Sequence, residues 1–158
     1  MTRRDDFSDV VLGSLTSNAQ SPRPPHPGFQ GVLLRAPRRV VLRPGAAIPV
    51  CGFYLLPAAS LLPPGDPPSA IQLMAVDVMT GLVLSAHLTP PDPIEPPDEA
   101  DAVSPAEVGD ALCGGYFNPN LFDYLPLPWR PASYEVVAEL AGRRSNVVRI
   151  RLEEERRA

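Results

Sequence analysis

Lysine is absent from this chain: all 14 basic residues are arginine, set against 18 acidic residues for a net charge of −4. An acidic chain with no basic stretch interleaved with aromatics excludes the usual nucleic-acid-binding surfaces. An arginine-only basic set is what a GC-rich genome produces. The functional alternative is selection for bidentate contacts with carboxylate or phosphate, which arginine's planar fork favours. Arg38-Arg39, Arg143-Arg144 and Arg156-Arg157 are scattered pairs that read as solvated surface.

Aromatic residues are few, at 6%, within a hydrophobic content of 44%, so a core must be built mainly from Val, Leu, Ala and Ile. No apolar run approaches the roughly 18 residues of a membrane-spanning helix. The opening Met-Thr-Arg-Arg-Asp-Asp-Phe is followed by no apolar h-region, because Val10 to Leu15 is short and interrupted by Gly13. No signal peptide is therefore expected and the default compartment is the cytoplasm, where Cys51 and Cys113 stay reduced. On export the two cysteines would be free to pair. With only two cysteines and two histidines, the four ligands of a structural zinc site are missing, and no cofactor is expected.

Proline, by contrast, is abundant, at 22 residues. It ends helices and cannot donate to a strand ladder, which argues against a helical bundle and for short strands joined by rigid loops. The most legible stretch, residues 131–152, reads as a β-hairpin closing a sandwich. Tyr134, Val136, Ala138 and Leu140 fall on one face, with Ser133, Glu135, Val137 and Glu139 on the other. Val148, Ile150 and Leu152 likewise oppose Arg149 and Arg151. A period of two marks a sheet with one face in a core and one in water.

A second hairpin is expected from 70–78 and 82–88 around Met79-Thr80-Gly81, where Gly81 supplies a positive φ. Residues 30–35 and 39–43 read as two short strands split by Ala36-Pro37, as at an edge that switches sheets. Residues 47–56 and 112–117 complete the set of strands. Residues 1–28 read as a flexible proline-rich arm in which Asp9 to Leu15 has strand character. It can dock on its own domain, dock on a second copy, or stay mobile. The body spans 29–153, with an acidic insertion at 89–111, and 154–158 form a charged tail. Within the insertion, Ser104-Pro105-Ala106-Glu107 has the form of a helix start with a capping box. Residues 118–129 read as an irregular apolar crossover over one end of the body.

About seven or eight strands with closely spaced turns predict an all-β, antiparallel two-sheet sandwich with one short helix in a long acidic loop. The order of elements resembles immunoglobulin-like and fibronectin-III-like sandwiches. Tyr134, after Pro131, is similar in placement to the tyrosine-corner residue of that superfamily. Ser145-Asn146-Val147 resembles the lead-in to the last strand of many bacterial domains of this type. The chain departs from true immunoglobulin domains because no cysteine lies on the 134–140 strand and Trp129 follows both cysteines. The resemblance implies a fold and carries over no active residue.

For function, Tyr116, Phe117, Phe122, Tyr124 and Trp129 form the best candidate recognition surface, since Tyr and Trp join flat apolar area to a polar edge. Their structural alternative is packing of the crossover on the core. The arm offers a second route, as a polyproline ligand or an added strand. Asp92, Glu95, Asp98, Glu99, Asp101, Glu107 and Asp110 could supply oxygens to Ca²⁺, but without the spacing of a known loop they read as solvated. Cys113 with His87 as base is a conceivable nucleophilic pair. Ser85 and His87 with Asp77 or Asp92 can be drawn as a triad, but no nucleophile elbow accompanies them.

The leading expectation is a non-enzymatic protein-interaction or structural accessory module. Its partner would be another protein or a second copy of itself, with no metal, nucleic acid or membrane span involved. The alternative is a small-molecule or carbohydrate-binding sandwich using Tyr116, Tyr124 and Trp129. A weak Cys113/His87 hydrolase ranks third.

Overall fold

The computed structural model describes residues 7–61, 70–88 and 111–155. The strands are β1 (Gly31–Arg35), β2 (Arg39–Leu42), β3 (Cys51–Pro57), β4 (Gln72–Asp77), β5 (Val83–His87), β6 (Leu112–Phe117), β7 (Ala132–Leu140), β8 (Arg143–Arg144) and β9 (Val148–Glu154). They form two sheets, one in the order β1-β3-β6 and one in the order β2-β9-β7-β4-β5, with β8 pairing to the end of β7. A 3₁₀ turn, Ala58–Leu61, follows β3, and a single helical turn, α1 (Leu121–Tyr124), follows β6. The helix expected at Ser104, and nearly all of the acidic insertion, lie outside the described residues.

The expected all-antiparallel pairing is corrected at one ladder: β2 runs parallel to β9, so the larger sheet is mixed. The cause lies in the sheet switch itself. Pro37 cannot donate to a ladder, so the chain leaves the β1–β3 pairing at Arg35 and resumes in the other sheet at Arg39. There it pairs with β9 running the same way.

Between the sheets lies the core. Leu73 and Ala75 of β4, Val136, Ala138 and Leu140 of β7, and Ile150 and Leu152 of β9 face Val32, Leu34, Tyr54, Leu56 and Phe117 of the smaller sheet. The contact between β3 and β6 is unusually close. Gly52 sits opposite Phe117, and a Cβ on Gly52 would fall within the Phe117 ring. The crossover closes one end, where Leu121, Leu125 and Leu127 are buried. Asn120 caps α1, its side-chain oxygen accepting from the Phe122 amide at 3.2 Å and the Ile48 amide at 3.0 Å. The crossover is thus more regular than expected because one asparagine satisfies amides from two segments at once.

Both hairpins form. At the β4–β5 turn Asp77 is buried and its carboxylate accepts from the amides of Met79 and Thr80, while Gly81 takes φ +75° as expected. The β7–β8 turn places Ala141 at φ 51° and Gly142 at φ 77°.

Tyr134 begins the inward face of β7 and is 2% exposed, yet its hydroxyl has no hydrogen-bond partner among the described residues. Burial raises its pKa, with Asp77 adding to the shift. In a tyrosine corner the hydroxyl bonds back to the backbone, and among the described residues the Tyr134 hydroxyl makes no such bond.

Two stability outcomes are expected. Gly52→Ala should destabilise by about 1–3 kcal/mol, because the neighbouring ring is fully packed and must be displaced. An unchanged urea midpoint would contradict the packing described. Tyr134→Phe should be neutral or stabilising by about 1 kcal/mol, since it deletes a buried polar atom that bonds nothing. A clear loss of stability in the same assay would mean that the hydroxyl is satisfied.

Candidate functional site

The five predicted aromatic residues do not form one surface. Phe117 is fully buried in the core and is unavailable for recognition, because it is the ring that fills the space above Gly52. Tyr116, one residue earlier and on the opposite face of β6, packs against Phe53 at 5.5 Å between ring centroids. Phe122 packs against Trp129 at 5.2 Å, and Trp129 remains 56% exposed. Tyr124 is half-buried against the core. Neighbouring residues of a strand point to opposite faces, so Tyr116 and Phe117 do not share one surface.

Cys113 and His87 are not brought together. Cys113 packs against the core from β6. His87 is exposed on β5 of the other sheet, opposite Gln72. Ser85 shares the outward face of His87, while Asp77 is buried and occupied by its own turn. Cys51 and Cys113 are both free thiols, and on β3 Cys51 lies five positions from Leu56, the partner of Cys113.

From residue 7 the arm does not project away from the domain. Phe7, Gln20 and Ser21 are buried. The anchor is Asn118, 1% exposed, just after β6. Its amide nitrogen donates to the carbonyls of Ser14 (3.1 Å) and Thr16 (2.8 Å), and its oxygen accepts from Asn18 Nδ2 at 3.0 Å. The Gly13 amide donates to the Asn118 carbonyl, and the Asn118 amide to the Ser14 carbonyl. Asn18 then reaches Cys51 Sγ at 3.8 Å. Cys51 points away from the core, on the opposite face of β3 from Tyr54, yet it is fully buried. The arm therefore covers the Cys51 end of the outer face of the smaller sheet. Burial pushes the Cys51 thiol pKa up, against smaller opposing effects of Asn18 and Arg35.

Two exposed features remain. The β4–β5 turn carries Val78, Met79, Leu82 and Val83, all exposed, with Met79 at 87%. This apolar turn leads into β5, whose outer edge has no strand partner among the described residues. The second feature is a groove of about 870 Å³ at the sheet switch, lined by Arg35, Arg38, Arg39, Arg149 and Arg151. Sequence reading treated these arginines as dispersed because three come from the β1–β2 region and two from β9, more than 100 residues later. The alternation on β9, with arginine at every outward position from 149 to 151, was the one available signal.

Asn118→Ala should cost about 1–3 kcal/mol by leaving its buried partners unbonded. It should also speed iodoacetamide labelling of Cys51 in a Cys113→Ser background. Unchanged labelling would show that Asn118 does not hold the arm. The raised thiol pKa adds a pH dependence. Above about pH 8.5 the unfolded chain releases a proton that the native state keeps. The stability tied to Cys51 is therefore complete below that pH and falls as pH rises, and Cys51→Ala should flatten the decline in alkaline denaturant titrations.

No protein-family model matches the chain, and no curated protein or solved structure matches it.

Proposed function

We propose that this chain is a non-enzymatic protein-interaction or structural accessory module built on an immunoglobulin-like β-sandwich. The strand order supports the immunoglobulin-like reading. One strand pair switches sheets at a proline, β2 lies parallel to the last strand, and β9, β7 and β4 are neighbours. The observation that carries the interaction reading is the exposed apolar turn of Val78, Met79, Leu82 and Val83 continuing into the open edge of β5. Exposed apolar side chains beside an unpaired strand edge invite a partner that adds a strand or covers the patch. The partner class is another protein or a second copy of the chain.

A second reading, a carbohydrate-binding sandwich, draws on Trp129, whose ring is supported by Phe122 and stays open to solvent.

A photo-crosslinking side chain at Leu82 in the full chain separates these readings. Adducts at twice the chain mass are expected for self-association, and heavier or lighter protein adducts for a different partner. Absence of any protein adduct, together with a saturable change in Trp129 fluorescence on glycan titration, would replace the interaction reading with the carbohydrate one. Met79→Asp with Val83→Lys should abolish the adducts while leaving the far-ultraviolet spectrum intact.

A further inference from the structure

The five arginines at the sheet switch form a site distinct from the apolar turn, and its chemistry is specific. Among the described residues, no carboxylate lines the groove. Glu135 and Glu153 stand beside it and already engage three of the five: Arg149 pairs with Glu135, and Arg39 and Arg151 pair with Glu153. Those arginine side chains are each more than 60% exposed. Ion pairs this exposed are weak and exchange readily with an incoming anion. The Arg38 side chain has no ion-pair partner among the described residues. Arg38, and the sharing of Glu153 between Arg39 and Arg151, leave positive charge in excess of these two carboxylates, in a chain whose net charge is −4.

The floor of the groove is preorganised. Asn146 Nδ2 donates to the Leu34 carbonyl at 3.0 Å, and Asn146 Oδ1 accepts from the Leu34 amide at 2.8 Å. That side chain lines the groove and ties the smaller sheet to the lead-in of β9. The Arg151 amide donates to the Arg38 carbonyl at 2.8 Å, fixing the crossover against β9. In register, Arg39 lies opposite Arg151 on the parallel ladder. Two forks are thus held side by side on one face, where each can take a carboxylate in bidentate fashion.

We propose that this groove binds an acidic, carboxylate-rich peptide segment of a partner protein. Carboxylates are the groups the groove's arginines already bond. Ala36 and Val148, partly buried, give the groove apolar surface for a peptide's side chains, and Ser133 adds a hydroxyl. A nucleic acid is the weaker fit. Among the described residues no aromatic side chain lines the groove to stack a base, and a long polyanion would meet the acidic remainder of the chain. Electrostatic complementarity of this kind governs on-rate and specificity, so the binding should be sensitive to salt.

The test uses the full chain and fluorescein-labelled octaglutamate, read by anisotropy at low and at physiological salt. Saturable binding is expected, weakened by salt. Arg38→Ser with Arg151→Ser should reduce affinity at least about tenfold, as for loss of two charge-assisted contacts. Arg143→Ser with Arg144→Ser removes the same charge from another surface and should change affinity less than about twofold, because exposed charges beyond a Debye length are screened. Arg38→Glu disturbs no ion pair and serves as a second variant, with a loss of the same order expected. Equal losses in the groove and control variants would overturn the proposal, as would absence of binding by the unmodified chain. Tighter binding of an oligothymidylate of matched length would overturn it in favour of a nucleic-acid site.

Discussion

The chain's change of sheet between Arg35 and Arg39 is the constraint from which most of the architecture follows. Pro37 removes a ladder donor where β1 would otherwise continue, and the next strand pairs in the other layer. There β2 runs parallel to its neighbour β9. That single parallel ladder ties the two sheets through the backbone at one corner. It also gathers Arg35, Arg38 and Arg39 against Arg149 and Arg151. The topology and the cationic groove therefore share one cause.

The smaller sheet has only three described strands and would expose its outer face if left alone. A three-stranded sheet needs cover on an apolar face to be stable, and the N-terminal segment supplies it. Asn118 is the fastening: a buried amide whose oxygen and nitrogen are both satisfied by Ser14, Thr16 and Asn18. Burial of Cys51 and of Phe53 follows from this cover. So does the position of Phe7, whose ring faces Arg35 at 5.9 Å. The arm thus reaches the edge of the arginine groove, and the segment that protects one sheet also borders the surface that would receive an anion.

The two exposed features differ in kind. The β4–β5 turn offers apolar area next to unpaired backbone, which favours a partner through burial and strand addition. The sheet-switch groove offers directed charge, which favours a partner through orientation and specificity. The larger sheet's order, β2-β9-β7-β4-β5, places them at opposite edges. Cys113 and His87 sit on different sheets, one packed inward and one exposed.

Much of the fold was legible in the residues. Alternation on 133–140 and 148–152 marked β7 and β9, Gly81 marked the β4–β5 turn, and Ala36-Pro37 marked the sheet switch, because each is a local consequence of side-chain period or backbone freedom. The aromatic candidate surface was less legible. Side-chain type announced Phe117 and Trp129 equally, but only the close approach of Gly52 determined that Phe117 is core, and only the crossover's path left Trp129 exposed. The sequence by itself determined a β-rich chain, its strand positions and the point where it breaks between layers, since those depend on nearest neighbours. Tertiary structure alone decided that the arm is fastened by Asn118 and that five arginines separated by more than 100 residues share one groove. Such contacts depend on which strands become neighbours, and pairing across long sequence separations leaves no trace in local pattern.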